Sequence, residues 1–291
     1  MSSNQPLKRG RYLLGGSEVT DLPHITFAHW TSKAFAVGAF IAAVTFPLAL
    51  YAESVPPSCN APFSMIRLTN PLSRVAAKLK KDQPITIVAI GSSSTAGAGA
   101  SSEASNYPSR LAIELTQRFP DHPITVLNRG VGGEEVRDML KRFDTDVIAA
   151  NPDLVLWQFG TNSVIRNDKL AGDETAIREG LAKIHTIGAD IVLIDPQFAP
   201  KVIEKPDAAH MVELIASTAK HNDINRFPRF EVMKRWHDID HMDFKTFLSP
   251  DGLHMNDWSY SCFAKALSVA ISEAAQRPML SATAVPPHVV R

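Results

Sequence analysis

From Pro84 to about Gln276 the chain alternates short, nearly unbroken apolar runs with longer amphipathic stretches, and this alternation admits few folds. A strand that is apolar on both sides must be covered on both faces, which is the situation of a parallel sheet packed between helices. Five runs read as strands: Ile85–Ile90, Ile124–Leu127, Asp153–Phe159, Asp190–Ile194 and a weaker Phe227–Val232. Helical patterns separate them at Tyr107–Arg118, Glu134–Ala150 with a break, Glu174–Ile187 and Asp207–His221, and a last helix runs over Asp257–Gln276. The pattern predicts one three-layer α/β/α domain over 84–277, built on a five-stranded, mostly parallel sheet, with a tail at 278–291. In such sheets reactive groups sit on the loops that leave the carboxyl ends of the strands.

Ahead of this domain the composition changes. Ala34 to Ala52 carries no charge over 19 residues, whereas Lys8, Arg9, Arg11 and Lys33 precede it. A signal h-region runs about 7–15 residues and a membrane-spanning helix about 20, so residues 1–52 read as an export signal or a signal anchor. Pro47 and Ala52 favour a cleavable end; the long basic region before the apolar stretch favours an anchor. The basic flank places the rest of the chain outside the cytoplasm, periplasmic or secreted, with 34–52 as a membrane tether if it is retained. Residues 53–83 form a connecting segment rich in proline. Disulfides persist in such a compartment, and the two cysteines, Cys59 and Cys262, both lie in the exported part, so they are expected to pair. With 30 basic and 30 acidic side chains the formal charge is zero, which argues against a nucleic-acid partner. Residues 1–52 hold four basic and two acidic groups, leaving 53–291 at a formal charge of −2.

Each predicted strand end carries residues of chemical use. Gly91-Ser-Ser-Ser-Thr-Ala-Gly97 follows the first, Asn128-Arg-Gly-Val-Gly-Gly133 the second and Gly160-Thr-Asn-Ser163 the third; Ser249-Pro-Asp-Gly-Leu-His-Met255 lies beyond the fifth. A serine hydroxyl needs an adjacent base to act as a nucleophile at neutral pH. His254 can be that base, and Asp251, three residues earlier, can hold its Nδ1–H and leave Nε2 facing a serine. Backbone N–H groups at the first loop, the backbone of Gly133 and the Asn162 amide are donors suited to an oxyanion. Spacing alone leaves Ser92, Ser93 and Ser94 open as the nucleophile, and a serine there also suits a helix N-cap.

These four blocks, in this order, resemble the SGNH (GDSL-type) hydrolases, serine esterases and lipases named for a serine, a glycine, an asparagine and a histidine. Gly91-Ser-Ser93 with Gly97 four residues on keeps the spacing of the first block, and the resemblance selects Ser93. Asn128-x-Gly-x-Gly-Gly133 is similar to the second and points to Gly133, Gly160-Thr-Asn162 to the third and Asn162, and Asp251-Gly-Leu-His254 to the last. Two positions depart from the pattern: Ser92 and Ser163 stand where the family has aspartate, which puts loop support in question rather than the reacting atoms. The resemblance covers about Pro84 to Gln276 and implies a flavodoxin-like sheet and a catalytic set Ser93, Asp251 and His254. It also implies an oxyanion hole from Ser93, Gly133 and Asn162, and chemistry that needs no metal or organic cofactor.

The expected function is therefore an exported serine esterase working through an acyl-enzyme. The exported location favours a carbohydrate O-acetylesterase on cell-wall or extracellular glycan. A lipase, lysophospholipase or thioesterase of the same family is the alternative, and a non-catalytic glycan-binding module the alternative of another class. One competing cluster is His237-Asp-Ile-Asp-His241-Met-Asp243, whose i, i+4 histidines would share a face on a helix and could ligate a metal. It lacks the glutamate of a metalloprotease motif, and a solvated polar face explains it as well. Trp236, Phe244 and Phe247 beside it suit either a substrate-cleft wall or the core.

Overall fold

The computed structural model describes residues 57–59, 61–167 and 170–278. The apolar segment 34–52, the basic region before it and most of the tail lie outside the described residues. Five strands, β1 (Ile85–Gly91), β2 (Ile124–Gly130), β3 (Leu154–Gln158), β4 (Asp190–Ile194) and β5 (Asn225–Phe227), form one sheet in the order β2-β1-β3-β4-β5, parallel throughout. The central strands are the continuous apolar runs: every residue of β3 is buried, and so is all of β1 but Thr86. The edge strand β2 is only half-buried.

Helices fill the connections: α1 (Phe63–Ile66), α2 (Ser73–Leu79), α3 (Ser93–Ala96), α4 (Tyr107–Arg118), α5 (Val136–Lys141), α6 (Phe143–Asp146), α7 (Thr161–Arg166), α8 (Leu170–Thr186), α9 (Pro200–Ile203), α10 (Ala208–His221), α11 (Arg229–Asp238), α12 (Phe244–Phe247) and α13 (Asp257–Gln276). A crossover between parallel strands is right-handed. The first crossover runs outward from β1 to β2 and the later ones run the other way, so α4 is sent to one face and α5, α8 and α10 to the other. The packing follows: α4 lies against α13, and α5 against α8. Register then aligns the carboxyl ends. Gly91 pairs with Gly130, Ile90 with Trp157, Gln158 with Ile194, and Ile194 with Phe227, so the loops leaving these strands gather along one edge.

The fifth strand is shorter and earlier than the sequence suggests. It covers only Asn225–Phe227, and the residues from Arg229 form α11. Pro228 cannot donate to a strand ladder. Beyond it Arg229, Val232, Met233 and Trp236 are buried at positions i, i+3, i+4 and i+7, the helical period rather than the strand one. Part of the connecting segment, Ser73–Leu79, forms α2. Asp190 Oδ2 accepts from the backbone N–H groups of Arg74 and Val75 at 3.0 Å each and so caps the first turn of α2.

Cys59 and Cys262 are joined, with Cα atoms 5.1 Å apart and a sequence separation of 203 positions. The Trp258 indole donates to the Pro57 carbonyl at 3.0 Å, so two links tie the connecting segment to α13. Cross-linking a loop of this length restricts the unfolded chain strongly, and Cys59→Ser is expected to lower unfolding free energy by about 2–5 kcal/mol. A urea titration with and without reductant checks this; identical wild-type midpoints in the two conditions would refute the bond.

Candidate functional site

The turn after β1 is built for close approach. A Cβ on Gly91 would lie 2.2 Å from Thr95 Oγ1 and 2.9 Å from the Gln158 carbonyl, so only glycine lets the chain pass from β1 into α3 there. The three serines that follow fall into different environments. Ser92 and Ser94 are buried, the first with its N–H and hydroxyl on Gln158 Oε1 at 3.2 and 3.3 Å, the second with its hydroxyl 3.4 Å from Gln197 Oε1. Ser93 alone is half-exposed, and its Oγ lies 2.8 Å from His254 Nε2.

His254 is carried by the loop between Leu248 and Met255, which pair as an antiparallel bridge at its base. Asp251 organises this loop through both oxygens. Oδ1 accepts from the N–H groups of Leu253 and His254 at 2.9 Å each and from the Ser249 hydroxyl at 2.7 Å; Oδ2 faces His254 Nδ1 at 2.5 Å. Burial pushes the Asp251 carboxyl up, but the hydrogen bonds from the His254 ring, the His254 amide, Ser249 and Leu253 outweigh it and hold it well below the usual carboxylate range. An ionised acceptor on Nδ1 keeps the proton there and leaves the Nε2 lone pair toward Ser93.

The structure brings the second and third loops to the same place. β1 sits where the strand order reverses, with β2 on one side and β3 on the other, and Ser93 and Asn162 follow the two strands that flank this switch point. A Cβ on Gly132 would come within 4.0 Å of Ser93 Cβ, so the loop after β2 runs beside the serine. Gly133 takes φ 80°, a conformation that favours glycine, and its carbonyl accepts from Arg166 at 2.8 Å. Asn162 Nδ2 donates to the Glu134 carbonyl at 2.7 Å, which fixes the plane of the amide and directs its second N–H elsewhere. Arg142 clasps the Glu134 carboxylate through Nε and Nη2 and also donates to the Gly91 carbonyl at 3.3 Å, joining the loops after β1 and β2.

Several supporting residues escape sequence reasoning. Gln158, the last residue of β3, gathers the Ser92 amide and the Ser92 and Thr95 hydroxyls at one oxygen, the kind of support an aspartate at position 92 could otherwise give. Its only signal in the sequence is a polar residue inside an apolar run. Gln197, Arg229, Glu134 and Arg142 stand in no motif. The second departure, Ser163, is buried, and its hydroxyl has no hydrogen-bond partner among the described residues.

The candidate metal cluster does not assemble. Helix α11 ends at Asp238 and His241 adopts φ 55°, so His237 and His241 share no helical face. Among the described residues no group of three or more His, Cys, Asp or Glu is placed to hold a metal ion. His237 instead stacks on Phe244 with ring centroids 4.3 Å apart. Trp236 and Phe247 are core residues, whereas Phe244 is half-buried and lines a cavity of about 640 Å³ together with Leu248, Ser249, Pro250 and Gly252 of the His254 loop. A cavity of about 730 Å³ beside β5, lined by Arg67, Lys220 and Arg226 among others, includes none of the four loops.

A parallel sheet of this order with Ser93, His254 and Asp251 in one hydrogen-bonded line at its carboxyl edge defines the SGNH-type class of hydrolase folds. Within that class the chain belongs to the non-GDSL lipase-like family, whose model matches residues 58–277. Among solved structures it is similar to a two-domain esterase active on acetylated mannans, with a TM-score of 0.65 and 16% identity over 77% of this chain and 59% of that one. It is also similar to an acetylxylan esterase from Geobacillus stearothermophilus, with a TM-score of 0.55 and 20% identity over 64% of this chain and 94% of that one. A curated acetylxylan esterase from the same organism is 44% identical over 48 residues, which are 16% of this chain and 22% of that protein's length.

Proposed function

We propose that the protein is an exported serine esterase that cleaves acyl esters through a covalent acyl-enzyme, with an O-acetylated glycan as its substrate. The observation that carries this reading is the continuous line from Ser93 Oγ through His254 to Asp251 at the switch point of the sheet. Ser93 Oγ attacks the ester carbonyl while His254 Nε2 takes the hydroxyl proton, and the imidazolium that forms is balanced by Asp251. The backbone N–H groups of Ser93 and Gly133 and the Asn162 amide hold the oxyanion. Collapse of the tetrahedral adduct expels the alcohol, which takes the proton from His254; water then repeats the sequence, releases the acid and restores Ser93. No step calls for a metal or an organic cofactor. The glycan substrate is supported by two similarities, to an esterase active on acetylated mannans and to acetylxylan esterases, and export by the uncharged segment 34–52 behind its basic flank.

The test is hydrolysis of p-nitrophenyl acetate and of acetylated xylan or mannan by the purified protein, with covalent labelling of Ser93 by a fluorophosphonate. Absence of both turnover and labelling would overturn the reading. Asn162→Ala is expected to lower kcat about 10²–10³-fold with little change in KM, because the lost donor serves the transition state more than the bound ester. An unchanged kcat would remove Asn162 from the oxyanion hole.

A second reading has one specific observation in its favour: the apolar-walled cavity beside the His254 loop, with Phe244, Leu248 and Pro250, could take a longer acyl chain. A p-nitrophenyl ester series from two to twelve carbons separates the two. Falling kcat/KM beyond about four carbons supports the acetylesterase, and a rise supports a lipase-like specificity.

A further inference from the structure

Beneath the serine and histidine loops lies a polar cluster that the proposed reaction does not use. Arg229, the first residue of α11, and Gln197, on the loop after β4, are both fully buried. Arg229 Nε donates to the Asp195 carbonyl at 2.8 Å, and its Nη2 donates to Gln197 Oε1 at 2.9 Å. The same amide oxygen accepts from the Thr161 hydroxyl at 3.0 Å and lies 3.4 Å from Ser94 Oγ. On its other side Gln197 Nε2 donates to the Leu253 carbonyl at 3.3 Å. One side chain thus touches the loops after β1 and β3 and the loop that carries His254.

The direction of this amide is dictated. A guanidinium has donors and no acceptor, and burial draws Arg229 down only to about 10, so it remains a cation at neutral pH. Turning the Gln197 amide over would set its NH₂ against that of Arg229. The oxygen must therefore face Arg229, and the amide hydrogens must face Leu253. Leu253 is then held at both of its peptide groups, the N–H by Asp251 Oδ1 at 2.9 Å and the carbonyl by Gln197, immediately before His254.

We propose that Gln197, oriented by Arg229, is a positioning residue that sets the His254 imidazole against Ser93 by clamping the Leu253 carbonyl. The proposal rests on the hydrolase reading above for its kinetic consequence and on the geometry alone for its structural one. Loss of the clamp lets the His254 loop move without removing any reacting atom. A displacement of about 1 Å costs on the order of 10²-fold in rate, so kcat and the fluorophosphonate labelling rate fall together while KM changes little.

Gln197→Glu separates this role from stability. The carboxylate forms a buried ion pair with Arg229 and keeps the fold, yet it presents an acceptor to the Leu253 carbonyl where the amide presented a donor. The expected variant keeps or raises the wild-type thermal midpoint, loses about 10–100-fold in kcat with KM within about twofold, and shows a displaced His254 Nδ1 proton resonance. Gln197→Met, close in volume and without the N–H, is read in the same way if the glutamate variant does not fold. A folded variant with wild-type kcat and an unmoved His254 resonance would overturn the proposal. Wild-type protein without turnover or labelling would instead sink the hydrolase reading, and the His254 resonance would still decide the clamp.

Discussion

Ser93→Ala is expected to reduce ester hydrolysis by about 10⁴–10⁶-fold in kcat and to abolish fluorophosphonate labelling, with the folded state unchanged. The magnitude follows from what one atom does: without Oγ there is no acyl-enzyme, and His254 has no hydroxyl to deprotonate. What survives is the contribution of the oxyanion donors and of substrate binding to direct attack by water. Stability should move by less than about 0.5 kcal/mol, because Ser93 is half-exposed and, among the described residues, its hydroxyl is bonded to His254 Nε2 alone. The same substitution discriminates among the three serines. Ser92→Ala and Ser94→Ala remove bonds to Gln158 and Gln197 and should retain labelling, since both hydroxyls are buried behind the turn. Equal turnover by wild type and Ser93→Ala would end the assignment.

Asp251→Asn carries the second large effect, about 10⁴-fold in kcat, and the geometry explains why so isosteric a change should cost so much. Oδ1 is surrounded by three donors, the Leu253 and His254 N–H groups and the Ser249 hydroxyl, so the oxygen of an asparagine must take that place. Its NH₂ then faces His254 Nδ1 and donates to it. The imidazole is forced into the tautomer with the proton on Nε2, which cannot accept the Ser93 proton. The pH dependence has a definite sign. The folded-state pKa of Asp251 is lowered, so its contribution to loop order is complete above the ordinary carboxylate range and is lost as the pH falls through the lowered value. Its charge is therefore constant between about pH 5 and 8, and any change of wild-type kcat/KM in that interval belongs to another group. Steady-state kinetics of the variant, with imidazole tautomer read by nitrogen chemical shifts, checks both statements; a loss below tenfold would refute the orienting role.

The parts of the fold that could be read from sequence are those where local pattern and tertiary environment agree. β1, β3 and β4 are apolar apart from Thr86, Gln158 and Asp190 because both faces of the sheet are covered, and α4 and α13 keep their expected limits because they are long and periodic. The pattern misleads at β5, where three residues at an edge carry too little periodicity to register and the following helix shares its apolar residues with them. Short helices such as α1 and α7 hold their conformation through packing rather than propensity, and α9 and α12 carry only a first-turn Pro200 and an Asp243 cap as local signals.

The site divides in the same way. Its four loops announce themselves through residue type and spacing, because glycine at a close approach and an aspartate three residues before a histidine are local requirements. The choice of Ser93 over its neighbours came from a family resemblance, and in the structure the three hydroxyls point to different surroundings. Gln158, Gln197 and Arg229 could not be found in advance, since their meaning lies wholly in what they touch: Gln197 reaches Leu253 across 56 positions of chain. Ser93 and His254 are 161 residues apart. Sequence by itself determined where β1 to β4 fall along the chain and the residue types at their ends, because strand and turn formation depend on near neighbours. Only the tertiary structure decided which of those residues meet, because contact across the sheet edge is set by strand order, register and packing, none of which is written in any one segment.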